Sequence, residues 1–146
     1  MTGIKNINRL LKGISPVLQK GEFVYCTFAA NAYGDYKDLK PIASLLEKEG
    51  LTLVMPRQNA DEHRLSYSGV FKMISLQIHS SLEAVGLSAA VTAALSQKGI
   101  PANVMAGFYH DHIFVPIEKA NEAMAALKST YLTHNSTQRE TIPQQT

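Results

Sequence analysis

The feature that most constrains the fold is an approximate duplication of the chain. Gly21 and Phe23 in the first half align with Gly69 and Phe71 in the second, and the elements that follow keep an almost constant offset. Each half contains a strand, a loop, a helix, a glycine and a second strand. Strands that alternate with helices of this length are typical of a sheet covered on one face. The sequence predicts an α+β chain of two ferredoxin-like (βαββαβ) repeats, each an antiparallel sheet with its helices on one face.

The first half opens with a predicted helix and a predicted strand. Apolar residues at helical spacing place the helix over residues 4–14. β-branched and aromatic residues place the strand over Phe23–Phe28, before a polar loop. In that loop Tyr33, Asp35 and Tyr36 could wall a pocket, although the same residue types are ordinary loop formers. We favour the second interpretation.

A second helix is predicted between that loop and the next strand. Asp38 and Pro41 are typical of a helix start, and Gly50 is typical of a helix end. The apolar face of this helix consists of Leu39, Ile42, Leu45 and Leu46. We expect a strand over residues 51–55 next, followed by a polar connector over residues 57–69.

The second half repeats this order with clearer periodicity. Alternating side chains predict a strand over residues 71–79, and an i, i+3, i+4, i+7 apolar pattern predicts a helix that stops at Gly99. Two strands over residues 102–108 and 112–115 come next, and a last helix begins at Ile117. We divide the chain into an N-terminal half, a C-terminal half and a polar tail whose composition predicts mobility. Their bounds are residues 1–68, 69–132 and 133–146.

Composition and charge exclude several classes of partner. The formal net charge is +2 without any concentrated run of Lys or Arg, which argues against a nucleic-acid partner. The first ten residues hold no apolar stretch long enough for a signal peptide or a membrane span, so we expect no membrane association. Cys26 is the only cysteine, its apolar neighbours predict burial, and a reducing compartment fits it best. These observations predict a cytoplasmic protein.

The common catalytic motifs are missing from the sequence. It contains no Gly-x-Ser-x-Gly elbow, phosphate loop, dinucleotide fingerprint or His-Glu-x-x-His pattern. We therefore expect no catalytic residues and no cofactor, and the sequence favours a binding protein over an enzyme.

Three stretches of the second half carry a family resemblance. Residues 78–91 and 98–104 resemble the strand, glycine turn, helix and second strand of ACT domains, and residues 106–116 with the helix after them complete a βαββα order. The resemblance covers roughly residues 4–132 and is most specific over 71–115. It implies an ACT-type sandwich, and in this tandem form the chain resembles small bacterial proteins of uncharacterised function.

The resemblance also implies a ligand site. ACT domains commonly bind amino acids at the turn before the first helix and against a neighbouring ACT unit, which corresponds here to the turn that ends at Leu87. The implied ligand-binding residues are Ser80, Ser81, Glu83, Val85, Gly86 and Leu87.

Elementary chemistry supports that site and also offers a simpler interpretation. The first turn of a helix has unpaired N–H groups and partial positive charge that suit a carboxylate, while Glu83 could receive an ammonium group. Alternatively, Ser80 or Ser81 only caps the helix, Gly86 only relieves crowding, and Glu83 is solvated.

Three hypotheses follow for the function. The leading one is a stand-alone regulatory or sensor protein that binds a small molecule, which we expect to be an amino acid. The second is a structural or protein-interaction module that forms a homodimer without a ligand. The third is a metal-dependent enzyme that uses His79, His110 and His112, two of which share a face if they lie on one strand. If residues 109–111 form a turn, those rings point apart and are expected to make structural hydrogen bonds instead.

Overall fold

The chain separates into two compact units, which we describe one at a time. The computed structural model describes residues 15–29, 34–76 and 86–139 of the 146-residue chain. Lys20–Met73 forms the N-terminal unit, and the residues on either side of it form the C-terminal unit, which includes strand β1 (Pro16–Leu18). The helix predicted over residues 4–14 lies outside the described residues.

The N-terminal unit is an antiparallel sheet with short helices. Its elements are β2 (Phe23–Phe28), a 3₁₀ helix (Lys37–Leu39), β3 (Ala43–Glu47), β4 (Gly50–Pro56), α1 (Arg57–Glu62) and the first residues of β5 (Phe71–Leu76). The strands run in the order β3-β4-β2, and Phe23 of β2 pairs with Phe71 of β5. The strands predicted over 23–28 and 51–55 are therefore confirmed, and the predicted connector contains the short helix α1.

The helix predicted between Asp38 and Gly50 is wrong. The chain forms only the three-residue 3₁₀ helix there and then enters β3, which pairs with β4 along its whole length. Of the expected apolar face, Leu39 is buried at 3% exposure, whereas Leu45 is 62% exposed and Leu46 is 57% exposed. The hairpin hydrogen bonds between β3 and β4 replace helical ones, so tertiary pairing overrides the local spacing.

The core of the N-terminal unit lies on one face of its sheet. Alternate residues of β2 and β4 point to that face, because successive side chains in a strand point to opposite sides. The 3₁₀ helix and α1 each add one buried residue. The core consists of Val24, Cys26, Leu39, Leu51, Leu53, Met55 and Ala60. Burial of Cys26 confirms its predicted packing position.

The C-terminal unit has the two helices that the sequence predicts. Its remaining elements are α2 (Leu87–Ser96), β6 (Asn103–Ala106), β7 (Asp111–Pro116), a 3₁₀ helix (Ile117–Lys119) and α3 (Ala120–Arg139). Strand β1 pairs antiparallel with β5, and β6 pairs antiparallel with β7, which is the neighbour of β5. The predicted strand, helix, hairpin and final helix of this half are confirmed within the described residues.

Both helices of the C-terminal unit pack on its sheet. The buried cluster joins residues of β5 and β7 to the inner faces of α2 and α3, as a ferredoxin-like α+β fold requires. Its members are Ile74, Leu76, Val91, Leu95, Ile100, Ile113, Val115, Ala120, Ala123, Ala126 and Leu127. Burying side chains of the size of Leu or Ile contributes about 1.5–3 kcal/mol each to stability, so this cluster fixes the helices in place.

Helix α3 extends further than the composition predicts. It continues to Arg139 and therefore includes the first half of the predicted polar tail over 133–146. No helix in the described part of the chain combines the length and the apolar character needed to cross a membrane.

Candidate ligand-binding sites

The turn before α2 is the ligand site predicted from the sequence. Ser80, Ser81, Glu83 and Val85 lie outside the described residues. Gly86 is the N-cap of α2, its φ angle is 99°, and its carbonyl accepts a 2.9 Å hydrogen bond from the N–H of Ala90. Glycine adopts this left-handed conformation without the steric cost that a Cβ atom brings. The backbone conformation at position 86 therefore explains why a glycine stands there.

The N-terminus of α2 has a glycine at its N-cap position. Gly86 has no side chain with which to accept a hydrogen bond from the first-turn N–H groups, and the first turn of α2 contains no acidic residue. The aligned peptide dipoles give this end of a ten-residue helix a partial positive charge. A carboxylate is the type of group that such a helix end attracts.

A cavity of about 450 Å³ lies in the N-terminal unit, between the loop after β2 and the start of β3. In chain order it corresponds to the turn before α2, because each follows the first strand of a repeat. It is lined by Gly34, Asp35, Lys37, Lys40, Pro41, Ile42, Ala43, Ser44 and Leu53.

The backbone around this cavity is strained. Tyr36 (φ 63°) and Lys40 (φ 51°) flank the 3₁₀ helix in the left-handed conformation, and within the described residues Arg64 is the one further non-glycine residue with a positive φ. Tyr36 stacks on Phe28 at a ring separation of 4.0 Å, and the N–H of Lys40 donates to the carbonyl of Lys37 at 3.0 Å. Such a conformation costs about 1–2 kcal/mol per residue, and strained residues of this kind cluster at ligand-binding loops.

Sequence reasoning missed the two lysines of this cavity. It placed a helix start at Asp38 and Pro41 and did not single out Lys37 or Lys40, although both follow a polar loop that contains Gly34. Of the loop residues weighed as pocket walls, Asp35 lines the cavity, Tyr36 stacks on β2, and Tyr33 lies outside the described residues.

A second cavity, of about 620 Å³, lies in the N-terminal unit where β4 meets α1. Of its charged lining residues, Arg57 is paired with Glu22 and with Asp61. Arg57 donates from Nη1 to Glu22 at 2.9 Å and from Nε to the hydroxyl of Tyr67 at 3.2 Å, and that hydroxyl donates to Asp61 at 2.6 Å. The hydrogen bond to Glu22, followed by that to Tyr67, raises the pKa of Arg57. This network fixes the start of α1 against β2.

The three histidines of the metal hypothesis are not brought together by the described residues. His79 lies outside them, and the part of the chain that is described contains no group of three or more potential metal ligands placed together. His112 instead forms a 2.7 Å hydrogen bond through Nδ1 with the hydroxyl of Ser75. The turn between β6 and β7 is closed by the N–H of Gly107, which donates to the carbonyl of His110 at 2.9 Å.

Comparison with known proteins identifies the fold family. An ACT domain matches residues 2–72, and a second ACT domain matches residues 70–129. The chain belongs to the ACT-domain family. The resemblance noted in the sequence and the ferredoxin-like fold class are thereby confirmed, and no curated protein sequence matched the chain.

Solved structures share the fold of this chain. A Vibrio cholerae protein of unknown function, described as a possible transport protein, is 48% identical to this ACT protein, with a TM-score of 0.78 over 89% of this chain and 99% of that one. An Agrobacterium tumefaciens protein is 16% identical, with a TM-score of 0.68 over 81% of this chain and 89% of that one. The regulatory subunit of aspartate kinase from Thermus thermophilus is 10% identical, with a TM-score of 0.58 over 81% of this chain and 98% of that one. The last two show the fold alone.

The two ACT units differ in the element that follows their first strand. The C-terminal ACT unit has the ten-residue helix α2, whereas the described part of the N-terminal ACT unit has a three-residue 3₁₀ helix. ACT domains are regulatory modules that typically bind amino acids, and they are not catalytic.

Proposed function

We propose that this protein is a stand-alone ACT-type regulatory or sensor protein that binds an amino acid. The observation that carries the proposal is the pair of consecutive ACT matches, which together cover residues 2–129. The buried single cysteine, Cys26, supports placing the protein in the reducing cytoplasm.

The proposed amino-acid site is the turn that leads into α2. Gly86 makes no side-chain cap to the start of α2, which supports carboxylate binding there, because first-turn N–H groups and the helix dipole both favour an anion. In this proposal Ser80 and Ser81 add hydroxyl contacts, Glu83 receives the ammonium group, and Val85 and Leu87 line the apolar side.

Titration calorimetry of the full chain against the proteinogenic amino acids tests the proposal. We expect heat of binding with at least one of them, and a loss of affinity in Gly86→Ala and in Glu83→Gln. Gly99→Ala is the matched control, because Gly99 also has a positive φ (68°) and has open space around it. Absence of binding heat for every amino acid contradicts the proposal.

A homodimer is the second candidate function, and the exposed edge of the N-terminal sheet favours it. Strand β3 lies at the end of the strand order and pairs with β4 alone among the described strands. Leu45 and Leu46 in this strand, and Ile42 just before it, are exposed. An exposed apolar edge strand is a template for pairing with another chain. In antiparallel pairing of two copies centred on Leu45, Leu45 of one copy would lie opposite Leu45 of the other.

The molar mass in solution, measured by light scattering, tests whether the protein forms this homodimer. We expect a dimer for the natural chain and a monomer for Leu45→Lys, since a lysine on the edge opposes strand pairing. Val17→Lys is the control, because Val17 is an exposed apolar strand residue of the other unit. A monomeric natural chain excludes this function.

A further inference from the structure

We propose that the cavity between the 3₁₀ helix and β3, which we call the lysine cavity, binds a small organic carboxylate. It is lined by Lys37 and Lys40 on one side and by Pro41, Ile42 and Ala43 on the other. This ligand is distinct from the amino acid proposed for the turn before α2. The inference does not depend on that proposal, because it rests on a different unit and on different chemistry.

The charge of the lysine cavity favours an anion. Two lysines and one carboxylate, that of Asp35, line it. Neither Lys37 nor Lys40 forms an ion pair with a carboxylate of the described residues. The lining therefore carries one more positive than negative charge, and a bound carboxylate can accept charge-assisted hydrogen bonds from the lysine ammonium groups.

The two lysines are held on a fixed piece of backbone. Leu39 lies between them in the chain, is 3% exposed, and packs into the core of the N-terminal unit. Its carbonyl accepts a 2.8 Å hydrogen bond from Nδ2 of Asn59, and Lys40 is bonded back to Lys37. This anchoring reduces the conformational entropy that the loop loses when a ligand binds. The strain at Lys40 is therefore maintained by the surrounding structure.

The opposite wall of the cavity is apolar. Ile42 is 46% exposed, and its position is fixed by its N–H, which donates to the carbonyl of Val54 at 2.8 Å. A hydrocarbon chain placed against Pro41 and Ile42 removes apolar surface from water. The volume of about 450 Å³ lies in the range of small-molecule sites. The site thus fits a short-chain carboxylic acid better than an inorganic anion, which has no hydrocarbon part.

Recognition here differs from that at the turn before α2. The 3₁₀ helix has three residues and no helix dipole of useful size, so lysine side chains supply the positive charge in place of helix N–H groups. An α-amino group on the ligand is not needed for this contact. The lysine cavity is expected to bind simple dicarboxylates and monocarboxylates that are not amino acids.

Calorimetry of the full chain with succinate, butyrate and inorganic phosphate tests the inference. We expect both organic acids to bind and phosphate to bind at least about tenfold more weakly, a difference of about 1.4 kcal/mol. The double variant Lys37→Gln/Lys40→Asn is expected to weaken succinate binding by about tenfold or more, and asparagine tolerates the left-handed backbone at position 40. The control Lys48→Gln/Lys98→Gln removes the same charge from two exposed lysines outside the cavity, and it should leave binding unchanged.

Three results overturn the inference. The first is an absence of binding of succinate and butyrate at about 10 mM, well above the Kd of a weak site. The second is equal weakening by the cavity and control variants, which indicates a general charge effect. The third is phosphate binding as tightly as succinate, which removes the role of the apolar wall. Gly86→Ala should not affect succinate binding, so failure of the amino-acid proposal is distinguishable from failure here.

Discussion

The hydroxyl oxygen of Ser75 lies 2.7 Å from Nδ1 of His112, and this hydrogen bond joins β5 to the neighbouring strand β7. Ser75 is 1% exposed, and His112 is half-buried. Burial lowers the pKa of His112, the nearby His110 lowers it further, and Asp111 opposes these effects. The folded protein therefore favours neutral His112.

The free energy of unfolding is expected to fall as the pH is lowered below about 6.5, the ordinary pKa of histidine. The unfolded chain binds a proton on His112 at that pH, whereas the folded chain binds it only at lower pH, so protonation favours unfolding. Above this pH both states hold neutral His112, and its contribution to stability is constant. Urea unfolding between about pH 7.5 and pH 5.5 measures the effect.

Two histidine variants separate this effect from other titrations. His112→Gln keeps a hydrogen-bonding partner for Ser75 and is expected to flatten the pH dependence in that interval. His63→Gln should leave it in place, because His63 is exposed at the end of α1. If the free energy of unfolding depends on pH in the same way in the natural chain and in His112→Gln, protonation of His112 is not the cause.

Two leucines of the β3–β4 hairpin should respond very differently to truncation. Leu53 is 1% exposed in the core, whereas Leu46 is 57% exposed on the edge strand. We expect Leu53→Ala to reduce the free energy of unfolding by about 2–5 kcal/mol and Leu46→Ala by less than about 0.5 kcal/mol. Denaturant unfolding at a concentration where the chain is monomeric compares them, and similar losses would favour the helix predicted from the sequence over the observed hairpin.

That hairpin marks the limit of what the sequence predicts about the fold. The spacing of Leu39, Ile42, Leu45 and Leu46 suits a helix face, but a local pattern does not encode the pairing of β3 with β4. In the second half, α2 and β5 were predicted correctly, since several turns of consistent periodicity and flanking glycines all indicated the same elements.

The candidate sites were predictable to different degrees. Gly86 and the start of α2 follow from a glycine before an apolar helical pattern, which the sequence shows directly. The role of Lys37 and Lys40 depends on the 3₁₀ helix and on the hydrogen bond from Asn59 to Leu39, a contact across 20 positions of the chain. The Ser75–His112 bond spans 37 positions and likewise has no local signal.

Gly50 is expected to tolerate no side chain. A Cβ atom at this position would lie 2.7 Å from the carbonyl oxygen of Phe28, which belongs to the backbone of the paired strand β2 and cannot move aside. We expect Gly50→Ala to destabilise the chain by about 1–3 kcal/mol, the usual cost of overpacking. Gly34→Ala is a suitable comparison, because nothing lies within 4 Å of its Cβ position and only the cost of its positive φ remains. Thermal unfolding measures both variants. A smaller loss of stability for Gly50→Ala than for Gly34→Ala would contradict the close approach of the β2 backbone to Gly50.

The hydroxyl of Tyr67 is expected to couple Arg57 to Asp61. It accepts from Nε of Arg57 at 3.2 Å and donates to Asp61 at 2.6 Å, so Tyr67→Phe removes two hydrogen bonds while it keeps the ring in place. We expect Tyr67→Phe to lower the free energy of unfolding by about 1 kcal/mol or less, since this site is close to solvent. In a double-mutant cycle, Asp61→Asn should cost less in the Tyr67→Phe background than in the natural chain, because the bond it weakens is already absent. Additive losses would mean that the tyrosine packs in the core without linking the two charged groups.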